Sequence, residues 1–195
     1  RLREGRELSH MKTALAQGGV CIDIGANMGY YALMAAHMGA TRVLALEPNP
    51  VMFARLCMGI ALNGFETAIT PLQMGASDVA GSLTLTICDT DYGSSSAVNT
   101  AIHGEQITVE VTPLLPLLEA QGITRIDVMK IDVEGMEDRI LFAFFEQAAA
   151  ELFPRVIIME DNRTLWNRDV IEWLLSHGYS IRENTHANLV LHYAI

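Results

Sequence analysis

The chain has 195 residues, half of them hydrophobic, and a formal net charge of −10. That length suits one domain, residues 1–195, with a sizeable core. The acidic balance argues against nucleic acid or an anionic membrane as partner, because no excess of Lys and Arg can release counterions, and the best apolar run, VMFARLCMGIAL (51–62), is too short for a bilayer and broken by Arg55.

Three cysteines, Cys21, Cys57 and Cys88, are far apart and form no C-x-x-C pair, and the six histidines show no H-x-x-x-H spacing. This pattern offers neither a disulfide framework nor a zinc cage. It fits reduced thiols in a cytoplasmic protein. No signal peptide opens the chain. It starts at Arg1 rather than Met, which leaves open whether a segment precedes it.

Apolar periodicity then alternates between strand and helix. Residues 4–17 read as a helix stopped by Gly18-Gly19, making 1–18 an N-terminal helical segment. VCIDIG (20–25) is a strand and YYALMAAHMG (30–39) a helix. TRVLALE (41–47) is the second strand. PVMFARLCMGIALNG (50–64) is a helix opened by Pro and closed by Asn-Gly. TAITPLQMGAS (67–77) reads as a third strand. The region 82–111 is insertion-like: SLTLTIC (82–88) and QITVEV (106–111) are predicted to pair antiparallel around a polar loop, DTDYGSSSAVNT (89–100). PLLPLLEAQG (113–122) is a short helix, ITRIDVMKID (123–132) the fourth core strand, and EDRILFAFFEQAAAEL (137–152) a helix. RVIIME (155–160) is the fifth strand and TLWNRDVIEWLLSHG (164–178) the last helix. The remaining residues form two strands around a polar turn. Alternating strands and helices predict an α/β fold, a mostly parallel sheet with helices on both faces and a C-terminal antiparallel hairpin.

DIGANMGYY (23–31) sits where the first strand hands over to the first helix. Gly25 and Gly29 permit a tight turn or close approach to a ligand, and the helix N-terminus favours an anionic group. Read alone, the loop is equally a plain strand–helix turn. Glu47 adds to it: it ends the second strand about twenty residues on, where dinucleotide folds place an acid on ribose hydroxyls. The spacing G-A-N-M-G lacks the middle glycine that admits a pyrophosphate, with Asn27 near its place, which argues against NAD or FAD. It suits S-adenosylmethionine, with Asp23 accepting from the amino group. At the end of the third strand, MGASDVAG (74–81) offers Ser77 and Asp78 to the adenine, or forms an ordinary turn.

These stretches, VCIDIGANMGYYAL, LEPNP, GASDVAGSLTL and above all IDVMKIDVEGMEDRIL, resemble the FkbM-type family of S-adenosylmethionine-dependent methyltransferases from about residue 20 to about 160. The resemblance implies a Rossmann-like class I methyltransferase sheet of seven strands and methyl transfer to an oxygen of a small acceptor such as a sugar or polyketide. It carries cofactor contact to Asp23, Gly25, Asn27, Gly29, Glu47 and Asp78. Ala26, Tyr30 and Ser77 complete the expected cofactor set. Two departures stand out: TPLLPLL replaces a Leu-Asp pair frequent in the family, and Met136 replaces a small residue after Gly135, a packing change.

In KIDVEGME (130–137), Lys130, Asp132 and Glu134 share one face if the strand continues that far. One reading is an ion pair followed by helix-starting acids Glu134, Glu137 and Asp138. The other is a catalytic cluster, in which Asp132 or Glu134 takes the acceptor proton and Lys130 is the electrostatic partner. Asp132, Asp161 and Asn162 also have the chemistry of a Mg²⁺ site, but Asp161 and Asn162 are better read as helix caps, and no metal is assigned. The 89–100 loop, with Tyr92, closes over the acceptor or is simply solvated. Trp166 and Trp173 are expected on core faces of the last helix. The mixed 82–111 region is a candidate interface for a homo-oligomer. The expected function is therefore O-methylation of a small hydroxylated acceptor; a nicotinamide-dependent oxidoreductase and a non-catalytic adenosine-binding domain are the rivals.

Overall fold

Short apolar strands call for helices on both faces of a sheet, and the computed structural model, which describes residues 5–88, 95–96, 104–185 and 188–194, has that form. In chain order the elements are α1 (Gly5–Leu15), β1 (Val20–Ile24), α2 (Tyr30–His37), β2 (Arg42–Leu46), α3 (Pro50–Asn63), β3 (Ile69–Leu72), β4 (Gly75–Ser77), β5 (Gly81–Cys88), β6 (Ser95–Ser96) and β7 (Gly104–Pro113). There follow α4 (Leu114–Ala120), β8 (Val128–Ile131), α5 (Glu137–Phe145), β9 (Val156–Glu160), α6 (Val170–Ser176), β10 (Tyr179–Asn184) and β11 (Asn188–Tyr193). The main sheet runs β10-β11-β9-β8-β1-β2-β3. Its pairs are parallel from β9 to β3, and β11 is antiparallel to both neighbours. No helix among the described residues is long and apolar enough to cross a membrane.

Side chains alternate across the sheet and divide the core in two. Ile22, Ile24, Met129, Ile131, Ile157 and Met159 pack with Ile140, Leu141 and Phe144 of α5 and Leu174 of α6. Cys21, Val43, Ala45, Val128 and Ile158 pack with Met11 and Leu15 of α1, Ala32 and Ala35 of α2, and Leu56 and Ile60 of α3. The same alternation sends Asp23 and Lys130, partners in the β1–β8 register, to the α1–α3 face. Both are buried.

Four expected elements change. Residues 67–77 are not one strand. β3 takes the edge of the main sheet, where Pro71 is tolerated because its missing N–H costs no ladder bond. β4 then leaves to start a second sheet, β4-β7-β5-β6, in which β5 and β7 pair antiparallel as the alternating sequences predict. The fourth core strand is shorter than expected, ending at Ile131. Asp132 N–H still reaches Ile24 O at 3.0 Å, but β1 has turned away at Gly25. The helix expected over 137–152 stops at Phe145, and a separate 3₁₀ turn covers Ala150–Leu152. The last helix starts only at Val170, where the Asp169 carboxylate accepts from the N–H groups of Ile171 and Glu172. The 89–94 and 97–100 parts of the predicted polar loop, including Tyr92, lie outside the described residues.

α3 shows how sequence fixes an element that borders the site. Asn49 caps it, its side chain accepting from Val51 and Met52 N–H. Pro50 pre-sets the first turn, and Gly64 closes it at φ 69°. Asn49→Ala should lower unfolding free energy by about 1 kcal/mol. Urea titration would show this as a lower midpoint with an unchanged slope; an unchanged midpoint would mean that the cap contributes nothing.

Candidate active site

β1 is the point from which the chain proceeds outward in both directions, to β2 on one side and β8 on the other. A crevice opens at the carboxyl ends of strands at such a switch point. Here it is a cavity of about 540 Å³, lined by Gly25, Ala26, Asn27 and Tyr30 of the first loop, Glu47 and Pro48 after β2, and Lys130, Asp132, Val133, Glu134 and Met136 after β8. The inserted sheet supplies an apolar wall, Leu83, Leu85, Val109 and Val111. These are the inward residues of β5 and β7, and Leu85, Val109 and Val111 form a small core of their own.

Glu47 is buried and its carboxylate is fixed by two backbone donors at 2.7 Å, Asn27 N–H on Oε2 and Asn49 N–H on Oε1. Burial raises its pKa, and the two N–H groups oppose that rise. Asn27 makes this contact from a left-handed conformation, φ 54°. Gly25 is also left-handed, and a Cβ there would lie 2.0 Å from the Asp132 carbonyl oxygen. The glycine is therefore required by close packing of the first loop on the segment after β8. Gly29 is required for a similar reason: its Cβ would meet Leu56 Cδ1 at 2.5 Å. The space next to each glycine is thus filled by the protein itself.

Lys130 is 1% exposed, and its Nζ pairs with Asp132 Oδ2 at 2.9 Å. Asp132 lines the cavity and keeps 39% of its side-chain exposure. The common face expected for Lys130, Asp132 and Glu134 does not extend to Glu134. With the strand ended, Glu134 takes φ 56° and reaches the cavity from a turn. That turn is held by Glu137, which the sequence pattern offered as a helix-starting acid. Glu137 is fully buried and accepts from Val133 N–H (3.0 Å), Gly135 N–H (3.1 Å), Asn162 Nδ2 (3.2 Å) and Trp166 Nε1 (2.8 Å). Trp166 precedes α6 and anchors this turn, while Trp173 packs on Phe142 and Phe145 as a core residue.

Asp23 lies beneath the first loop and is absent from the described cavity lining. Its carboxylate accepts from Ala32 N–H at the start of α2, so the helix N-terminus expected to hold an external anion is met by the protein's own acid. Oδ2 is buried with no hydrogen-bond partner among the described residues. Burial pushes the Asp23 carboxyl up to about 7, against the pull of Lys130. Ser77 and Asp78 also lie outside the described lining. Ser77 is buried and its hydroxyl donates to Asp78 Oδ1 at 3.0 Å. Asp78 pairs with Arg139 at 2.8 Å. Burial raises its carboxyl, but Arg139 and Ser77 outweigh that and hold it below its ordinary value.

Asp161 and Asn162, whose chemistry would suit a cation beside Asp132, are engaged elsewhere. Asp161 pairs with Arg163, and Asn162 bridges Glu137 and Glu160. Carboxylate oxygens of Asp132, Glu137 and Glu160 do lie within 4.8 Å of one another. Both oxygens of Glu137 are already accepting from the turn it supports, so the trio reads as scaffold.

The raised Asp23 pKa has a definite stability consequence. A carboxyl that titrates near 3.8 unfolded and about 7 folded stabilises the protein fully below the lower value, and this stabilisation is lost as pH rises to the upper one. Asp23→Asn cannot lose it. The melting temperature of Asp23→Asn relative to the parent should therefore rise between pH 5 and pH 8; a constant difference would refute the assignment.

Comparison with known proteins places this geometry. The family model described as the methyltransferase FkbM domain matches residues 23–181. Methyltransferase sdnD of Sordaria araneosa is 31% identical over an alignment of 150 positions that covers 62% of this chain and 58% of that protein. The 31-O-demethyl-FK506 methyltransferase FkbM of Streptomyces tacrolimicus is 27% identical over 201 residues, covering 86% of this chain and 75% of the relative. The crystal structure of methyltransferase FkbM from Methylobacillus flagellatus KT shares the fold with a TM-score of 0.59 at 18% identity, covering 90% of this chain and 44% of that one. The chain thus spans less than two thirds of sdnD and less than half of the Methylobacillus protein. By the match over residues 23–181, the chain belongs to the FkbM methyltransferase domain family.

Proposed function

We propose that the chain transfers the methyl group of S-adenosylmethionine to a hydroxyl of a small acceptor. The observation that carries this reading is one cavity onto which an oriented Glu47 opens from β2 and the Lys130–Asp132 pair from β8. One relative is named for 31-O-demethyl-FK506, which supports an oxygen acceptor.

The residues present fit this cofactor. The two backbone donors on Glu47 use about half of the carboxylate's four acceptor positions, leaving the rest for ribose hydroxyls. Pro48, Ala76 and Val111 offer apolar surface to a flat base. Asp132 and Glu134 bring negative charge to the part of the cavity suited to a cation. A dinucleotide fits less well, because Asn27, in place of the middle glycine, spends its N–H on Glu47 rather than on a phosphate.

When bound, S-adenosylmethionine supplies an electrophilic methyl group on a sulfonium. The protein's contribution is to align the acceptor oxygen with it and to receive a proton. As the carbon–oxygen bond forms and the carbon–sulfur bond breaks, the hydroxyl proton becomes strongly acidic. A neighbouring carboxylate can then take it. Asp132 is assigned this role, with Lys130 fixing its orientation; Glu134 borders the same space. Asp23 acts from below, capping α2 and facing Lys130.

Calorimetric titration should show binding of S-adenosylmethionine and of its demethylated product but not of NAD; NAD binding alone would overturn the proposal. Glu47→Ala should weaken cofactor binding by roughly 1.5–3 kcal/mol, the range for hydrogen bonds to a charged group. On an acceptor identified by a product-mass screen, Asp132→Asn should lower kcat by about 10²–10⁴-fold. A kcat unchanged by that substitution would move the proton-accepting role to Glu134.

A further inference from the structure

Glu7 is an acid on the N-terminal helix, yet it is only 1% exposed. Its carboxylate collects three donors from distant parts of the chain. Tyr31 Oη donates to Oε2 at 2.5 Å, Asn188 Nδ2 donates to the same oxygen at 3.1 Å, and Thr185 Oγ1 donates to Oε1 at 2.8 Å. Tyr31 is a residue of the cavity wall, and the Lys130 ammonium lies 5.1 Å from the centre of its ring. That is within the range of a cation–π contact. Glu7, Thr185 and Asn188 all fall outside the segment 23–181 that matches the family.

We propose that Glu7 is a positioning residue. It holds Tyr31 face-on to Lys130 and so ties α1 and the β10–β11 hairpin to the cavity. Two physical effects act together. A short, charge-assisted bond fixes where the ring stands. A phenol donating to a carboxylate also becomes more electron-rich, which strengthens the attraction of its face for the ammonium. Lys130 is then held between Asp132 and the Tyr31 ring, and Asp132 is presented to the cavity in one orientation. The catalytic meaning of this link rests on the function proposed above; the link itself does not.

The test uses the fact that the full chain has two lysines, Lys12 and Lys130. Lys12 is exposed on α1 and serves as reference. With lysine labelled at Cε, the Lys130 signal should be displaced from that of Lys12 by the Tyr31 ring current. Tyr31→Phe and Glu7→Gln should each move it toward Lys12, and the double variant should move it no further. Thr185→Val removes another of Glu7's donors but leaves Tyr31 in place, and should not move it. In parallel, Tyr31→Phe and Glu7→Gln should bind S-adenosylmethionine about three- to tenfold more weakly, while Thr185→Val stays within about twofold. A Lys130 signal that ignores Glu7→Gln, or one that moves as much with Thr185→Val, overturns the proposal. Should Glu7→Gln fail to fold, an unmoved signal in Tyr31→Phe overturns it as well. Moved signals with unchanged cofactor affinity in both variants would make Glu7 a structural residue only, against the proposal. Loss lies instead with the proposed function if the parent chain binds no S-adenosylmethionine, and the lysine signals still decide whether the link exists.

Discussion

A buried ammonium at the end of the central strand is the constraint on which the site depends. Lys130 is almost wholly inaccessible, and an unpaired charge there would be prohibitive. Several independent features meet this demand. The β1–β8 register sets Asp23 beside Lys130, the chain past β8 brings Asp132 to 2.9 Å, and α2 lays the Tyr31 ring over the ammonium. The Asp132 pair is local to the end of β8, and β1 and α2 add Asp23 and the Tyr31 ring around it.

The cavity has two chemically distinct walls because two sheets build it. The parallel sheet delivers polar groups at strand ends, where backbone pairing stops and side chains meet solvent. The inserted sheet alternates strictly, so its inner face is Leu83, Leu85, Val109 and Val111 while Thr84, Thr108 and Glu110 face outward. Between the walls, the turn after β8 is held by Glu137 in an otherwise unfavourable left-handed conformation at Glu134. A non-glycine residue in that region costs free energy and persists only where surroundings over-determine it. Asn27, opposite, is in the same situation and is held by Glu47.

Much of this was legible in the sequence, for identifiable reasons. Short runs such as VCIDI and RVLAL are mostly apolar because both faces are buried, so β1 and β2 are readily read as strands. The alternation in 82–88 and 106–111 is equally clear because one face is wet. Of the expected site residues, Gly25, Ala26, Asn27, Tyr30, Glu47, Lys130, Asp132 and Glu134 line the cavity, whereas Gly29 joins Asp23, Ser77 and Asp78 outside the described lining. What the sequence concealed was long-range pairing. Nothing local to Glu137 reveals that its donors include Asn162 and Trp166, or that Glu7 meets Tyr31, Thr185 and Asn188. Asp78 looks like a free rim acid until Arg139, sixty-one residues on, is seen to hold it. Asp23 reads as a ligand contact by spacing alone, but the strand alternation that buries Cys21 also turns Asp23 under the loop.

The proposed reaction depends on the direction in which the cavity is used: it requires Glu47 to take the ribose and the Lys130–Asp132 pair to face the transferred group. A crystal structure of the chain with S-adenosylhomocysteine measures this directly. The predicted result is a ribose within hydrogen-bond distance of Glu47 and a sulfur on the Asp132 side of the cavity. A nucleoside bound elsewhere, or a sulfur turned away from Asp132, would contradict it.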